Sequence, residues 1–211
     1  PGGQVAADPT STPISRGRRI GWAVRAAVAT SLLMSVTTAL TTDVAPVPLL
    51  WVLPLLVYLL TFIVAFGWPD LVPRRVLVAA AMLTTTASVA VLVWPIPVTN
   101  LGLAIAVPVA TLAAGALLCH VDVARDRPPV ADLTGFYLWV SLGGALGGVL
   151  NSVVAPVIFD WVLEYPLTLV AVAVLVVLPP GYRILAGDRI RAGARALAGP
   201  RAWVVPVVIV A

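Results

Sequence analysis

The chain has 211 residues, of which 61% are hydrophobic and only 10% charged, with a net charge of +4 and a mean hydropathy of +1.05. A soluble domain carries about 25% charged residues, so this composition excludes a water-covered globule. The isoelectric point of 10.0 comes from 13 arginines with no lysine. They lie between apolar runs rather than in a patch, which argues against nucleic acid as a partner and for a bilayer.

Residues 1–19 read as a disordered cytoplasmic tail, rich in Pro, Gly, Ser and Thr up to Ser15 and ending in "RGRR". Residues 20–211 read as one transmembrane domain. Its apolar runs reach the roughly 20 residues that cross a bilayer core as a helix, far longer than barrel strands. A membrane-spanning segment must satisfy its own backbone, so the expected fold is all-α, a polytopic transmembrane helix bundle. Six complete spans are expected, at about 20–40, 49–66, 76–94, 101–121, 133–154 and 163–178, with a seventh begun near Trp203. The chain starts with Pro and stops at Ala211 inside an apolar run, so both true ends are expected to lie outside it. The first span is too long for a signal-peptide core, and "TTALTTD" is a poor cleavage site.

Loop charge sets the orientation. Arginines precede span one, lie between spans two and three and between four and five, and follow span six, whereas the alternate loops have none. The positive-inside rule then places the N-terminus and the arginine-bearing loops in the cytoplasm. Arg25 alone falls within a span, near enough to the cytoplasmic end for its stem to snorkel to the headgroups.

The outer loops hold three carboxylates and no cation: Asp43, Asp160 and Glu164. With Trp51, Trp161 and Tyr165 they form a candidate site for a small cation, since carboxylates and aromatic faces together suit an amine. The plainer reading of Asp43 is solvation or capping of the second span. Pro54 and Pro108 inside spans two and four are expected to kink them, and Thr84, Thr85, Thr86 and Ser88 give span three a polar patch suited to interhelical hydrogen bonds.

"CHVDVARDRPP" holds the one histidine, His120. It is a candidate ligand or interface residue: a metal or pigment ligand, a proton shuttle or a hydrogen-bonding side chain. No cofactor is expected. Asp122, Asp126 and Asp132 beside Arg125 and Arg127 suggest a local ion-pair cluster. In "FYLWVSLGGALGGVLN", Gly143, Gly147 and Asn151 repeat every four residues, as do Gly144 and Gly148. Such stripes let helices approach closely in lipid, whereas a nucleotide loop would need a preceding strand.

Three stretches, "TTDVAPVPLLWVLPLLVYLLTFIVAF", "LCHVDVARDRPPVADLTGFYLWVSLGGALGGVLNSVVAP" and "FDWVLEYP", resemble the membrane region of bacterial spermidine-synthase-like proteins, the fused transporter/spermidine synthase type. Asp43, His120, Arg127, Tyr137, Asn151 and Glu164 fall within them. In that family a soluble aminopropyltransferase-like domain follows the membrane region, and this sequence contains none of its strands, glycine-rich turn or catalytic acids. The resemblance thus implies a non-enzymatic, multi-pass module of a bacterial inner membrane, transporter-like or binding a polyamine-like cation. The alternative is an accessory subunit docked on partner membrane subunits or on copies of itself, within an assembly such as an energy-transducing one.

Overall fold

The computed structural model describes residues 14–44, 51–93, 101–158 and 164–177, with the side chains of Asp43 and Val44 outside that description. Among the described residues there is no strand. Seven α-helices run in chain order among these residues: α1 Arg16–Ala39, α2 Val52–Gly67, α3 Arg74–Val93, α4 Leu101–Arg125, α5 Leu133–Val149, α6 Ala155–Ile158 and α7 Glu164–Val177. Two five-residue π-helical turns, Leu40–Val44 and Leu150–Val154, extend α1 and join α5 to α6.

Among the described residues, four segments are long and apolar enough to cross a membrane: Arg16–Thr42, Arg74–Val93, Leu101–Arg125 and Val130–Ile158. Against the six complete spans expected, Val52–Gly67 and Glu164–Val177 are apolar but shorter. In α2 the reason is local. Trp51 occupies the N-cap position, and Trp68 closes the far end by donating its N–H to the Val64 carbonyl at 2.9 Å, just before Pro69. Pro54 therefore lies in the first turn, where no ladder bond is lost, instead of kinking a span. Pro108 does fall inside α4. The start of a seventh span near Trp203 lies outside the described residues.

The first helix begins earlier than the sequence suggests. Ser15 caps it by accepting the Arg18 N–H at 3.4 Å, so Arg16–Arg19 form a helical turn rather than part of a disordered tail. Residues 1–13 lie outside the description.

The two longest helices, α1 and α4, form the centre. Leu32, Val36, Leu112 and Ala116 are fully buried between them, and Leu169 and Val172 of α7 close the same core. The other faces of the bundle are lined by exposed Leu, Val and Ile, the surface that lipid requires. The glycine stripe sets the closest approach. A Cβ on Gly143 would meet the Ala23 backbone, with Ala23 Cα at 2.6 Å, and one on Gly147 would meet the Ala27 backbone, with Ala27 Cα at 3.0 Å. These two glycines pack α5 onto α1. The neighbouring pair does less, with Gly144 meeting Thr30 Oγ1 at 3.4 Å and Gly148 meeting nothing within 4 Å.

The polar patch of α3 is used only in part: Thr84 donates to the Ala80 carbonyl of its own helix, the buried Thr85 hydroxyl has no hydrogen-bond partner among the described residues, and Ser88 carries the side-chain bonds to other helices. Ser88 shares a 2.7 Å hydrogen bond with Thr111 of α4, and the Tyr165 hydroxyl of α7 donates to Ser88 at 2.9 Å. This chain ties three helices together across the core.

Candidate functional site

Helices alternate in direction, so the start of α1, the end of α2, the start of α3 and the end of α4 meet at one end. The charges there pair across the fold, not within the loop after α4. Arg74 reaches Asp122 with Nε at 2.9 Å from Oδ1 and Nη2 at 3.1 Å from Oδ2. Arg25 comes to the same carboxylate at 3.7 Å while donating to the Gly21 carbonyl at 3.1 Å. Arg25 is thus buried on a carboxylate rather than snorkelling outward. Arg18 holds Asp126 at 2.8 Å, where the Trp22 indole N–H also donates at 2.6 Å, and Arg125 lies 3.3 Å from Asp70. Asp132, expected within a local cluster, stands at the N-terminus of α5 with no side-chain capping bond. Arg127 instead lies over the Tyr137 ring at 6.0 Å. Burial holds the Asp126 carboxyl above its ordinary value, against the lowering by Arg18 and Trp22.

Just inside this end, a cavity of about 220 Å³ separates α2 from α5 over a floor of α1 and α4. Tyr58, Phe62, Phe66, His120, Tyr137 and Ser141 line it. His120 is buried, its ring set edge-to-face against Tyr58 at 4.9 Å and Phe62 at 5.2 Å. Its Nδ1 lies 3.2 Å from Thr61 Oγ1. Thr61 has one hydroxyl proton and gives it to the Tyr58 carbonyl at 2.7 Å. The threonine oxygen therefore accepts from Nδ1–H, and in the neutral ring Nε2 is left as an acceptor. Sequence reasoning singled out His120 but not its surroundings, because nothing in sequence joins Phe62 or Ser141 to it.

A second cavity, of about 290 Å³, lies between α1, the π turn that joins α5 to α6, and α7 in the other half of the bundle. Glu164 lines it with Ser31, Asn151 and Thr168. Asn151 sits in the π turn after α5 and donates its Nδ2 to the Gly147 carbonyl at 3.0 Å. Ser31 donates to the same carbonyl at 3.4 Å, and Thr168 to the Glu164 carbonyl at 2.7 Å. Each side-chain hydroxyl proton is committed to backbone, and one of the two amide protons with them. What remains is mostly acceptors, beside one Asn151 N–H: a carboxylate, an amide oxygen and hydroxyl lone pairs, with Thr168 Oγ1 already accepting from Ser35 Oγ at 3.4 Å.

The residues proposed from sequence for a cation site divide. Glu164 lines this cavity, Tyr165 turns into the core to meet Ser88, and Trp51 is exposed at the start of α2. Asp160 and Trp161 lie outside the described residues, as does the side chain of Asp43 on its π turn. Among the described residues no group of three His, Cys, Asp or Glu is placed to hold a metal ion. Comparison of the chain with protein-family models, curated proteins and solved structures finds no match.

Proposed function

We propose that the chain is a non-enzymatic, multi-pass membrane module that binds a small organic amine cation of the polyamine type. The observation that carries this reading is the acceptor set around Glu164. Ammonium groups are donors only, and a carboxylate backed by an amide oxygen and hydroxyl oxygens supplies charge and lone pairs without a competing donor at the hydroxyls. In a partly desolvated cavity such pairing is stronger than in water, where unit charges about 4 Å apart gain about 1 kcal/mol. The proposed topology has six spans and a seventh begun near Trp203, with the N-terminus and the arginine-bearing end in the cytoplasm of a bacterial cell. Glu164 then faces the outer half. Cysteines placed at positions 98 and 160 should label from outside and one at position 190 should not; the reverse pattern overturns the topology.

Spermidine titrated into the full chain in nanodiscs tests the binding reading. Wild type should bind with an affinity that weakens as salt is raised, and Glu164→Gln should bind at least tenfold more weakly. Equal affinity in the two proteins overturns it.

An accessory subunit is the second reading, and the open side of α5 favours it. Gly148 has nothing within 4 Å, and elsewhere around α5 Leu138, Leu142 and Leu146 are exposed. Partner membrane subunits or a second copy of the chain would dock there by close backbone packing. Mild-detergent purification should then yield a fixed assembly that Gly148→Leu disperses; a wild-type protomer that is always monomeric counts against it.

A further inference from the structure

We infer that the His120 cavity is a second binding site, for an uncharged hydroxyl-bearing aromatic ring of the lipid-soluble hydroquinone class. Four observations converge on that chemistry. The first is shape. Phe62 and Phe66 stack at 4.4 Å between ring centroids, and with Tyr58 and Tyr137 they give the cavity aromatic walls. Its volume of about 220 Å³ exceeds the roughly 150 Å³ that accommodates benzene in an apolar protein cavity, so a substituted single ring fits and a macrocycle does not.

The second is hydrogen-bond polarity. With the Thr61 hydroxyl donating to the Tyr58 carbonyl, its 3.2 Å contact with His120 is a hydrogen bond only when Nδ1 carries the ring proton, and no described residue hydrogen-bonds Nε2. A guest in this cavity meets an acceptor at the imidazole and must bring a donor. A ring hydroxyl does so; a quinone carbonyl does not. Ser141, exposed on α5 at the cavity lining, can serve either face of a second ring oxygen.

The third is charge, which separates this site from the one at Glu164. An amine cation would also bring a donor, but at this end of the bundle the described arginines outnumber the described aspartates. Arg25 adjoins the lining residue Ala26, and Arg127 lies over Tyr137. The carboxylate nearest in sequence, Asp122, is already held by Arg25 and Arg74. The local field therefore favours a neutral guest over a cation.

The fourth is depth. His120 precedes Arg125, the last residue of α4, by five positions, about 7.5 Å along a helix. A ring there lies just under the headgroup level implied by the arginines. Its apolar tail can leave between α2 and α5, which flank the cavity without a substantial interface of their own.

The test uses the full chain in nanodiscs, with empty nanodiscs as the partition reference, and three probes sharing one tail: decylubiquinol kept reduced, decylubiquinone and decanol. The quinol should bind at least tenfold tighter than the quinone, and decanol should not compete. Ser141→Phe, which fills the cavity from an exposed position, should abolish quinol binding while the melting temperature holds. Addition of quinol to wild type should shift the ¹⁵N resonance of His120 Nε2 and leave Nδ1 protonated, a readout that survives if the filled variant does not fold. Equal binding of quinol and decanol, or an unmoved Nε2 resonance at saturating quinol, overturns the proposal. Spermidine should compete at neither step. Loss of spermidine binding in Glu164→Gln is independent of this outcome, so the two sites can fail separately.

Discussion

Arg74 on α3 grips Asp122 on α4 with two nitrogens on two oxygens, at 2.9 and 3.1 Å. Fork-to-fork pairing of this kind adds geometric specificity to charge, and it fixes the start of α3 against the end of α4. With Arg25 of α1 on the same carboxylate, one aspartate ties three helices.

Removing that carboxylate leaves two guanidiniums facing each other in a buried place. Asp122→Ala should destabilise the protein by about 3–5 kcal/mol, the range for breaking a buried ion pair from one side. Asp70→Ala is the control: Asp70 also faces an arginine but is 91% exposed, so the change should be small. Chemical unfolding in mixed micelles would measure both. Comparable losses in the two variants would contradict the role assigned to Asp122.

Asp126 gives a pH dependence of defined sign. Burial raises its folded-state value above the ordinary carboxyl value of 3.8, so between the two values the folded state binds more protons than the unfolded. The contribution of this group to stability is therefore full below the ordinary value and is lost as pH rises through the raised one. Asp126→Asn cannot titrate and should flatten that segment of the stability–pH curve. Its amide oxygen can still accept from Trp22. A curve of unchanged slope would place the dependence on another group.

The glycine stripe predicts an asymmetry between neighbours. Gly143→Ala and Gly147→Ala drive a methyl into the α1 backbone and should each cost about 1–3 kcal/mol or more, the range for overpacking. Gly148→Ala meets open space and should be neutral. Thermal stability of the three variants in one detergent decides it, and equal effects would mean that the tight face has been misassigned.

His120 can be observed alone, because the chain has one histidine. Imidazole-labelled protein should show the Nδ1–H tautomer at neutral pH. Thr61→Val removes the acceptor of that proton and should shift the equilibrium toward Nε2–H. An Nε2–H tautomer in wild type would reverse the polarity argued for the cavity.

Much of the architecture was legible because lipid imposes strong rules on sequence. Apolar runs marked the helices, and the spacing of Gly143 and Gly147 marked a tight face. What the sequence could not reveal was which copy of a repeating pattern does the work: Gly144 and Gly148 have the same spacing and touch far less. Ionic pairing failed for a related reason. Asp122 and Arg125 are one turn apart and invite a local pair, yet the bundle brings Arg74 and Arg25 to Asp122 with better geometry and less solvent. Pro54 misled because its position relative to the helix start, not its presence, decides whether a backbone bond is lost. Glu164 was singled out by its charge alone, whereas Ser31 and Asn151, which line the same cavity, come from segments that sequence does not show to be adjacent.

The closeness of α1 and α5 bears on biogenesis. Ala23 and Ala27 leave the ribosome some 120 residues before Gly143 and Gly147, and the carboxylate that receives Arg25 is also far downstream. The first helix thus enters the bilayer with a guanidinium and two serines, Ser31 and Ser35, on faces that later helices cover. Until α4, α5 and α7 arrive it is a poor lipid-facing segment, held in place by its arginine-rich start and its capped first turn. Chains truncated before residue 122 should therefore be degraded or retained by insertion machinery, while those extended past residue 177, with α7 in place on the core, should be released as a closed bundle, which makes α1 both the earliest helix made and the one whose burial reports completion.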